Sequence, residues 1–265
     1  MLLDTHCHLE AGRFPEGADE VLARARAAGV AGCVVIGVGA DLAPAAEAVA
    51  LATRCPELRA AVGMHPHDAA ALDEPLYAEL ARLARAPEVV AIGEIGLDHH
   101  YLLSPAPVQE TVFRRFVALA REVDKPVVVH TRLAPALTLE VLASARASEV
   151  GGVIHCFSED VAFARRALDL GFDLSFSGLV TFKKAHAVQE AARFCPADRL
   201  LVETDSPYLA PVPLRGKRCE PAFVVHTARF LATLRGESFD ELSERTTANA
   251  RRRFRAAALG AVAPS

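Results

Sequence analysis

The six cysteines of this 265-residue chain, at 7, 33, 55, 156, 195 and 219, form no C-x-x-C pair and no zinc-finger spacing. That excludes a disulfide framework and a cysteine-built structural zinc, and leaves buried reduced thiols in a reducing compartment. Positive charge is not in excess either. Lys and Arg number 29 against 33 Asp and Glu, for a net charge of -4. A global field for gripping nucleic acid is thereby excluded, although chemistry on nucleic acid through a local basic patch and bound cations is not. No apolar run approaches the roughly 20 residues of a membrane helix. No basic stretch followed by an apolar one opens the chain, since Asp4, His6 and His8 come at once. The expectation is a soluble, cytoplasmic protein, with no membrane attachment and no obligate protein partner. A Gly-x-Gly-x-x-Gly turn after the first strand is also missing, which removes the mark of an open dinucleotide-binding sheet.

What is present is an alternation of short apolar runs and amphipathic stretches. Strand-like runs fall at 2–5, 33–38, 59–63, 89–93, 127–130, 152–155, 172–177 and 200–204, and most read as buried on both faces, the pattern of a parallel sheet. Helical stretches lie between them near 18–28, 43–54, 75–86, 106–123, 135–147, 160–170 and 185–194, with two more near 221–235 and 239–258. The period is plainest where Val108, Val112, Phe116, Leu119 and Val123 share one face. Eight strand-plus-helix units without a linker predict an α/β fold of the (β/α)8 TIM-barrel type, a single domain over 1–265. Such barrels commonly take about 250 residues. The rival is an open doubly wound sheet, but an open sheet gathers its site at one crevice. Here chemistry-bearing residues end at least five strands, as a barrel mouth requires.

Those residues are His6 and His8, Glu94, His130, His155 and Asp205. In an extended strand, residues i and i+2 point to one side, so His6 and His8 can meet one cation while Cys7 turns away. Asp4 shares that side one step deeper, where a carboxylate orients a ligating His. Glu94 follows Val89-Val90-Ala91-Ile92-Gly93. A carboxylate in so apolar a setting needs a cation or a buried arginine. His130 and His155, on consecutive strands beside Glu94, read as ligands of a second cation, though a single strand-end His is often only hydrogen-bonded structure. Asp205, before Ser206-Pro207, faces His6 and His8 as ligand and proton acceptor, with Glu203 supporting it from one layer down. Asp98 reads as a loop residue of structural or supporting use. His65 and His67 stand just past the third strand, and His65 is the better placed for a substrate contact. Arg132 suits phosphate recognition through its planar fork. Arg215, Lys217 and Arg218 form a basic loop cluster able to hold a phosphate backbone, or simply a solvated surface.

Taken together these blocks resemble the TatD family of metal-dependent deoxyribonucleases, within the amidohydrolase-like barrels. The resemblance runs almost the full chain. It rests on Asp4-Thr5-His6-Cys7-His8-Leu9, Gly63-Met64-His65-Pro66-His67, Gly93-Glu94-Ile95-Gly96-Leu97-Asp98, Val129-His130-Thr131-Arg132, His155-Cys156-Phe157-Ser158, Glu203-Thr204-Asp205-Ser206-Pro207-Tyr208-Leu209 and Arg215-Gly216-Lys217-Arg218. Three mouth positions depart from the family pattern: Glu159-Asp160, Cys219 and His99-His100. The resemblance implies a divalent-metal centre with His6, His8, Glu94, His130, His155 and Asp205 as ligands. It also implies hydrolysis of DNA phosphodiesters from the 3′ end.

The expected cofactors are two divalent cations per site, with Glu94 between them and Glu94 and Asp205 serving catalysis. Magnesium is the expected working ion, since phosphate chemistry in cells often uses it. Zinc or manganese would also suit four imidazoles. The expected partner is DNA. Hydrolysis of a small ester, lactone or amide stays open as an alternative. Barrels of that kind often bridge their metals with a carboxylated lysine, but Glu94 takes that place here, and the four lysines are Lys125, Lys183, Lys184 and Lys217. Release of an amino acid from tRNA is a related ester option.

Overall fold

The computed structural model describes residues 1–257 and 259–260. Among these residues eight strands form one parallel sheet in sequential order. They are β1 (Leu2–Cys7), β2 (Val30–Gly37), β3 (Leu58–Val62), β4 (Val89–Asp98), β5 (Val127–Arg132), β6 (Gly152–Ile154), β7 (Phe172–Phe176) and β8 (Leu200–Val202). The intervening helices are α1 (Ala18–Ala27), α2 (Ala43–Arg54), α3 (Glu74–Leu83), α4 (Ala106–Glu122), α5 (Pro135–Ser144), α6 (Val161–Asp169) and α7 (His186–Phe194), and α8 (Val224–Arg235) and α9 (Phe239–Arg253) follow β8. The expected (β/α)8 barrel is therefore present. The last helix is shorter than its predicted span of 239–258, ending at Arg253, and residue 258 lies outside the described residues. No helix among the described residues is long and apolar enough to cross a membrane.

Strand side chains alternate between two apolar environments. Val34, Ile36, Ala61, Ala91, Val128, Val153 and Leu201 form an inner cluster with Leu3, and Ala250 and Phe254 at the end of α9 belong to it. Their neighbours Val35, Val62, Ile92, Val129, Ile154 and Val202 join the larger cluster with the helices. This two-faced burial is why the strands read as continuous apolar runs rather than as alternating ones. On α4 the period holds as predicted, with Val112, Phe116 and Leu119 buried and Val108 and Val123 packed at the margin of the core.

Two local irregularities decide where the chemistry points. The β1–β2 register slips between Asp4 and Cys7, and the β4–β5 register slips between Gly93 and Ile95. Each slip flips the side chains beyond it, as bulges beside active sites do. The first corrects the reading of Asp4. Instead of sharing the face of His6 and His8, Asp4 groups with Cys7 and Cys33. The second turns Glu94 inward while Ile92 and Ile95 both face the helices. Strand β4 also runs on to Asp98, so Asp98 is its last residue and not part of a loop. Only glycine allows that continuation at residue 96, because a Cβ there would collide with the His130 carbonyl at a φ of +145°.

Asp4 orients no imidazole; it secures the β1–β8 seam. Its Oδ1 accepts from Thr204 N at 2.9 Å and its Oδ2 from the Thr204 hydroxyl at 2.5 Å. The seam continues through Asp205 N to His6 O and His8 N to Ser206 O, both 2.9 Å. Burial drives the Asp4 carboxyl up to about 8, against the downward pull of the donors from Thr204 and His6. Thr204→Val removes one of those donors from a fully buried carboxyl. It should lower stability by about 1–3 kcal/mol, read as a lower urea midpoint with an unchanged slope. An unaltered midpoint would show that the seam does not depend on this contact.

Candidate metal centre

Two carboxylates, Glu94 buried and Asp205 partly exposed, and five imidazoles converge at the C-terminal end of the barrel. Glu94 lies at the middle, its side chain only 4% exposed, and its two oxygens face different sets of rings. Toward Oε2 come His6 Nε2 at 3.3 Å and His8 Nε2 at 4.0 Å. Toward Oε1 come His155 Nε2 at 2.7 Å, His130 Nδ1 at 3.0 Å and His65 Nε2 at 3.4 Å. Asp205 Oδ1 completes the first set, 3.6 Å from His6 Nε2 and 3.7 Å from His8 Nε2. All six residues expected as ligands are thus brought together. His65, read from sequence as a substrate contact, joins them and shares one tight donor group with Glu94 and His130.

The donor set suits divalent cations. Both His6 nitrogens, His8 Nδ1, His130 Nε2 and His155 Nδ1 are buried without a hydrogen-bond partner among the described residues. Burying so many polar nitrogens unpaired would be costly. The nitrogens turned toward Glu94 and Asp205 are His6 Nε2, His8 Nε2, His130 Nδ1 and His155 Nε2. As lone-pair donors beside two carboxylates these match the imidazole-plus-carboxylate sites of zinc, manganese and related ions.

The electrostatics agree. Burial disfavours the charge on Glu94, but its electrostatic interaction with His155 and His65 and the hydrogen bonds from His130 and His155 outweigh it, holding the carboxyl well below its ordinary value. Asp205 is lowered in the same way, against burial, by His8 and His6. Burial would lower His155 as well, yet the charges of Glu94 and Glu203 leave it well above the usual imidazole value. His6 and His65 go down, chiefly through burial. The two carboxyls are thus kept ionised, which supplies the negative charge that a cation site needs.

Surrounding residues fix the rings. Glu203, fully buried, lies 3.4 Å from His155 Nδ1 while its Oε1 accepts from Cys156 N at 2.6 Å, so it supports His155 rather than Asp205. Asp98 Oδ2 sits 2.9 Å from His67 Nε2 and 3.4 Å from His130 Nε2. Asp98 in turn is held by Gln109, which accepts from its N–H at 2.8 Å and donates to its carbonyl at 3.0 Å and to that of Ser104 at 2.8 Å. Gln109 escaped the sequence reading. Its signal was there, an amide on the face of α4 that also carries Val112, Phe113 and Phe116.

Above the centre opens a cavity of about 730 Å³, lined by His8, His65, Glu94, His130, His155 and Asp205 on its floor and by Arg13, Tyr101, Arg132 and Tyr208 higher up. Arg132 is exposed, with its guanidinium 4.7 Å from the Tyr101 ring centre. Arg215, Lys217 and Arg218 are exposed and do not line this cavity; Arg218 lies 3.9 Å from Glu16. Of the three departures in the mouth loops, Asp160 caps α6 through Phe163 N at 2.9 Å, Cys219 is buried, and His100 is exposed. None of the departing residues is among those that line the cavity.

Comparison with known proteins agrees with this arrangement. The family model described as TatD related DNase matches residues 3–255. The uncharacterized metal-dependent hydrolase YabD of Bacillus subtilis is 42% identical over 255 residues, covering 96% of this chain and 99% of its own. The 3'-5' ssDNA/RNA exonuclease TatD of Pantoea vagans is 38% identical over 263 residues, covering 97% and 100%. Among solved structures, YjjV, a TatD homologue from Escherichia coli, superposes with a TM-score of 0.89 at 28% identity, over 96% of this chain and 98% of that one.

Glu203→Gln keeps an acceptor for Cys156 N but withdraws the charge behind His155. Losing an oriented partner of this kind should weaken cation affinity by about 10–100-fold, measured by calorimetric titration with manganese. Wild-type affinity in the variant would show that Glu203 does not tune the centre.

Proposed function

The chain belongs to the TatD family of metal-dependent hydrolases, and on that footing we propose that it cleaves phosphodiester bonds of DNA from a 3′ end, using two divalent cations. The observation that carries the reading is the division of the imidazoles by Glu94. One oxygen faces His6 and His8 with Asp205 beside them, the other faces His130, His155 and His65. His6, His8 and Asp205 would hold one ion, His130 and His155 the other, with Glu94 between them. Magnesium is the working ion in this reading, and zinc or manganese the alternatives. Bound there, such ions supply Lewis acidity, easing loss of a proton from water and offsetting charge on phosphoryl oxygens.

The protein's own groups do the rest. Asp205, ionised and open to the cavity, accepts the proton of the attacking water. Glu94 fixes both halves of the centre in register, and Glu203 and Asp98 keep His155 and His130 turned inward. Arg132 holds the phosphate from the rim with its fork. Arg215, Lys217 and Arg218 lie further out, where they meet the backbone of a strand beyond the cavity.

Size favours a strand end. A space of about 730 Å³ is that of a small-molecule site, so a nucleotide or two reaches the floor while the middle of a duplex does not. Exonuclease polarity is supported by the name of the Pantoea vagans relative, a 3'-5' ssDNA/RNA exonuclease. Against a small-ester or lactone hydrolase stands the lack of a lysine among the residues lining the cavity. Lys125 instead donates to the Ala84 and Ala86 carbonyls, at 2.6 and 2.9 Å.

End-labelled single- and double-stranded DNA, with RNA, esters and lactones beside them, tests the reading. The wild type should shorten single-stranded DNA from its 3′ end, stop on chelation and resume on reloading with magnesium or manganese. Glu94→Ala should lower the rate by two orders of magnitude or more, on the scale of losing a preorganised electrostatic element, with its circular dichroism unchanged. Retained nuclease activity in that variant, in highly purified protein, refutes the assignment.

A further inference from the structure

Two of the chain's three tyrosines, Tyr101 and Tyr208, stand at the cavity mouth, each about half exposed. Each lies beside an arginine, but the two arginines are held differently. No hydrogen bond or ion pair to a side chain fixes Arg132 among the described residues; it rests over Tyr101. Arg13 is fixed twice, its Nε by Glu10 Oε1 at 2.5 Å and its Nη1 by the Tyr208 hydroxyl at 2.6 Å. Its Nη2 finds no hydrogen-bond partner among the described residues, and the residue lines the cavity with His8 and Asp205. The same Glu10 oxygen lies 4.0 Å from His8 Nδ1. A line therefore runs from the cation pocket through the His8 ring and the Glu10 carboxylate to the Arg13 guanidinium.

We propose that Arg13, braced by Glu10 and Tyr208, is a specificity-determining residue that binds the phosphate next to the scissile one, and so makes the enzyme select oligonucleotides over isolated phosphodiesters. The proposal rests on the phosphodiesterase reading above. The geometry suits it in three respects. A guanidinium held at two nitrogens loses little freedom when the third takes a phosphate oxygen, which a loose surface arginine does not achieve. One imidazole and one carboxylate separate it from the cation pocket, a spacing that suits the neighbouring nucleotide rather than the reacting phosphate. Tyr208, tied down by its hydroxyl, keeps its exposed ring beside that position as a surface on which the adjoining base stacks. Arg13 is absent from the motif blocks that carry the family resemblance.

The test sets two substrates against each other: thymidine 5′-(p-nitrophenyl phosphate), which has one phosphate, and a short 3′-labelled oligothymidylate. Arg13→Gln should reduce kcat/KM for the oligonucleotide by roughly 10- to 100-fold, the loss of one charge-assisted hydrogen bond, mostly through KM. The loss on the one-phosphate ester should be at least about tenfold smaller. The slope of log kcat/KM against log salt for the oligonucleotide should become shallower by about 0.7, one single-strand phosphate contact. Arg13→Lys keeps the charge and should restore the slope, but not the full rate, because an ammonium cannot serve Glu10, Tyr208 and a phosphate as a fork does. Equal losses on both substrates would make Arg13 a brace for the mouth loops and overturn the proposal, as would an unchanged salt slope. If the wild type cleaves neither substrate, the phosphodiesterase reading fails by itself. Anisotropy of the labelled oligonucleotide then decides: a shallower salt slope of binding in Arg13→Gln sustains the contact, and a wild-type slope overturns it.

Discussion

A carboxylate sunk into an apolar barrel must be given counter-charge or give up its own, and Glu94 is the residue on which this structure settles that demand. Its neighbours along β4 face the packed helices, so nothing on its own strand can satisfy it. The solution comes from around the mouth: His6 and His8 from β1 and its end, His65 from beyond β3, His130 from β5, His155 from beyond β6. A closed barrel is the architecture that lets so many strand ends meet at one carboxylate. An open sheet would leave its outer strands too far away.

Placing Glu94 there needs exceptions to regular strand geometry. The register slip between Gly93 and Ile95 turns its side chain inward, and the slip between Asp4 and Cys7 does the same for His6 and His8 relative to Leu3. Of the other candidate ligands His130 and His155 need none, whereas Asp205 stands beyond β8 with a left-handed φ of 57°. Counting in twos from Val128 and Val153 carries the inward face to His130 and His155. Further shifts fall between Leu2 and Leu3 and between Ala60 and Ala61, while the β5–β6, β6–β7 and β7–β8 pairs run without a break.

That distinction explains what could be read from the sequence. The barrel was legible because burial on both faces gives apolar runs, and eight of them alternate with helical periods. The residues that cluster at the mouth were legible because polar residues at the ends of such runs have few structural explanations. The bulges were not, since no residue pattern announces a one-residue slip, and so Asp4 was placed on the wrong face and Asp98 outside its strand. His65 looked like a mouth residue because its distance from Glu94 depends on how β3 and β4 sit side by side. Arg13 gave no signal at all: its role depends on Glu10 and Tyr208, and Tyr208 lies 195 residues away along the chain.

The central claim is that the two oxygens of Glu94 separate two cation positions. Anomalous diffraction from crystals soaked in manganese tests it most directly. The account predicts two peaks on opposite sides of the Glu94 carboxylate, one contacted by His6, His8 and Asp205 and the other by His130 and His155. A single peak that leaves one of those sets without an ion, or peaks only at surface carboxylates, would contradict it.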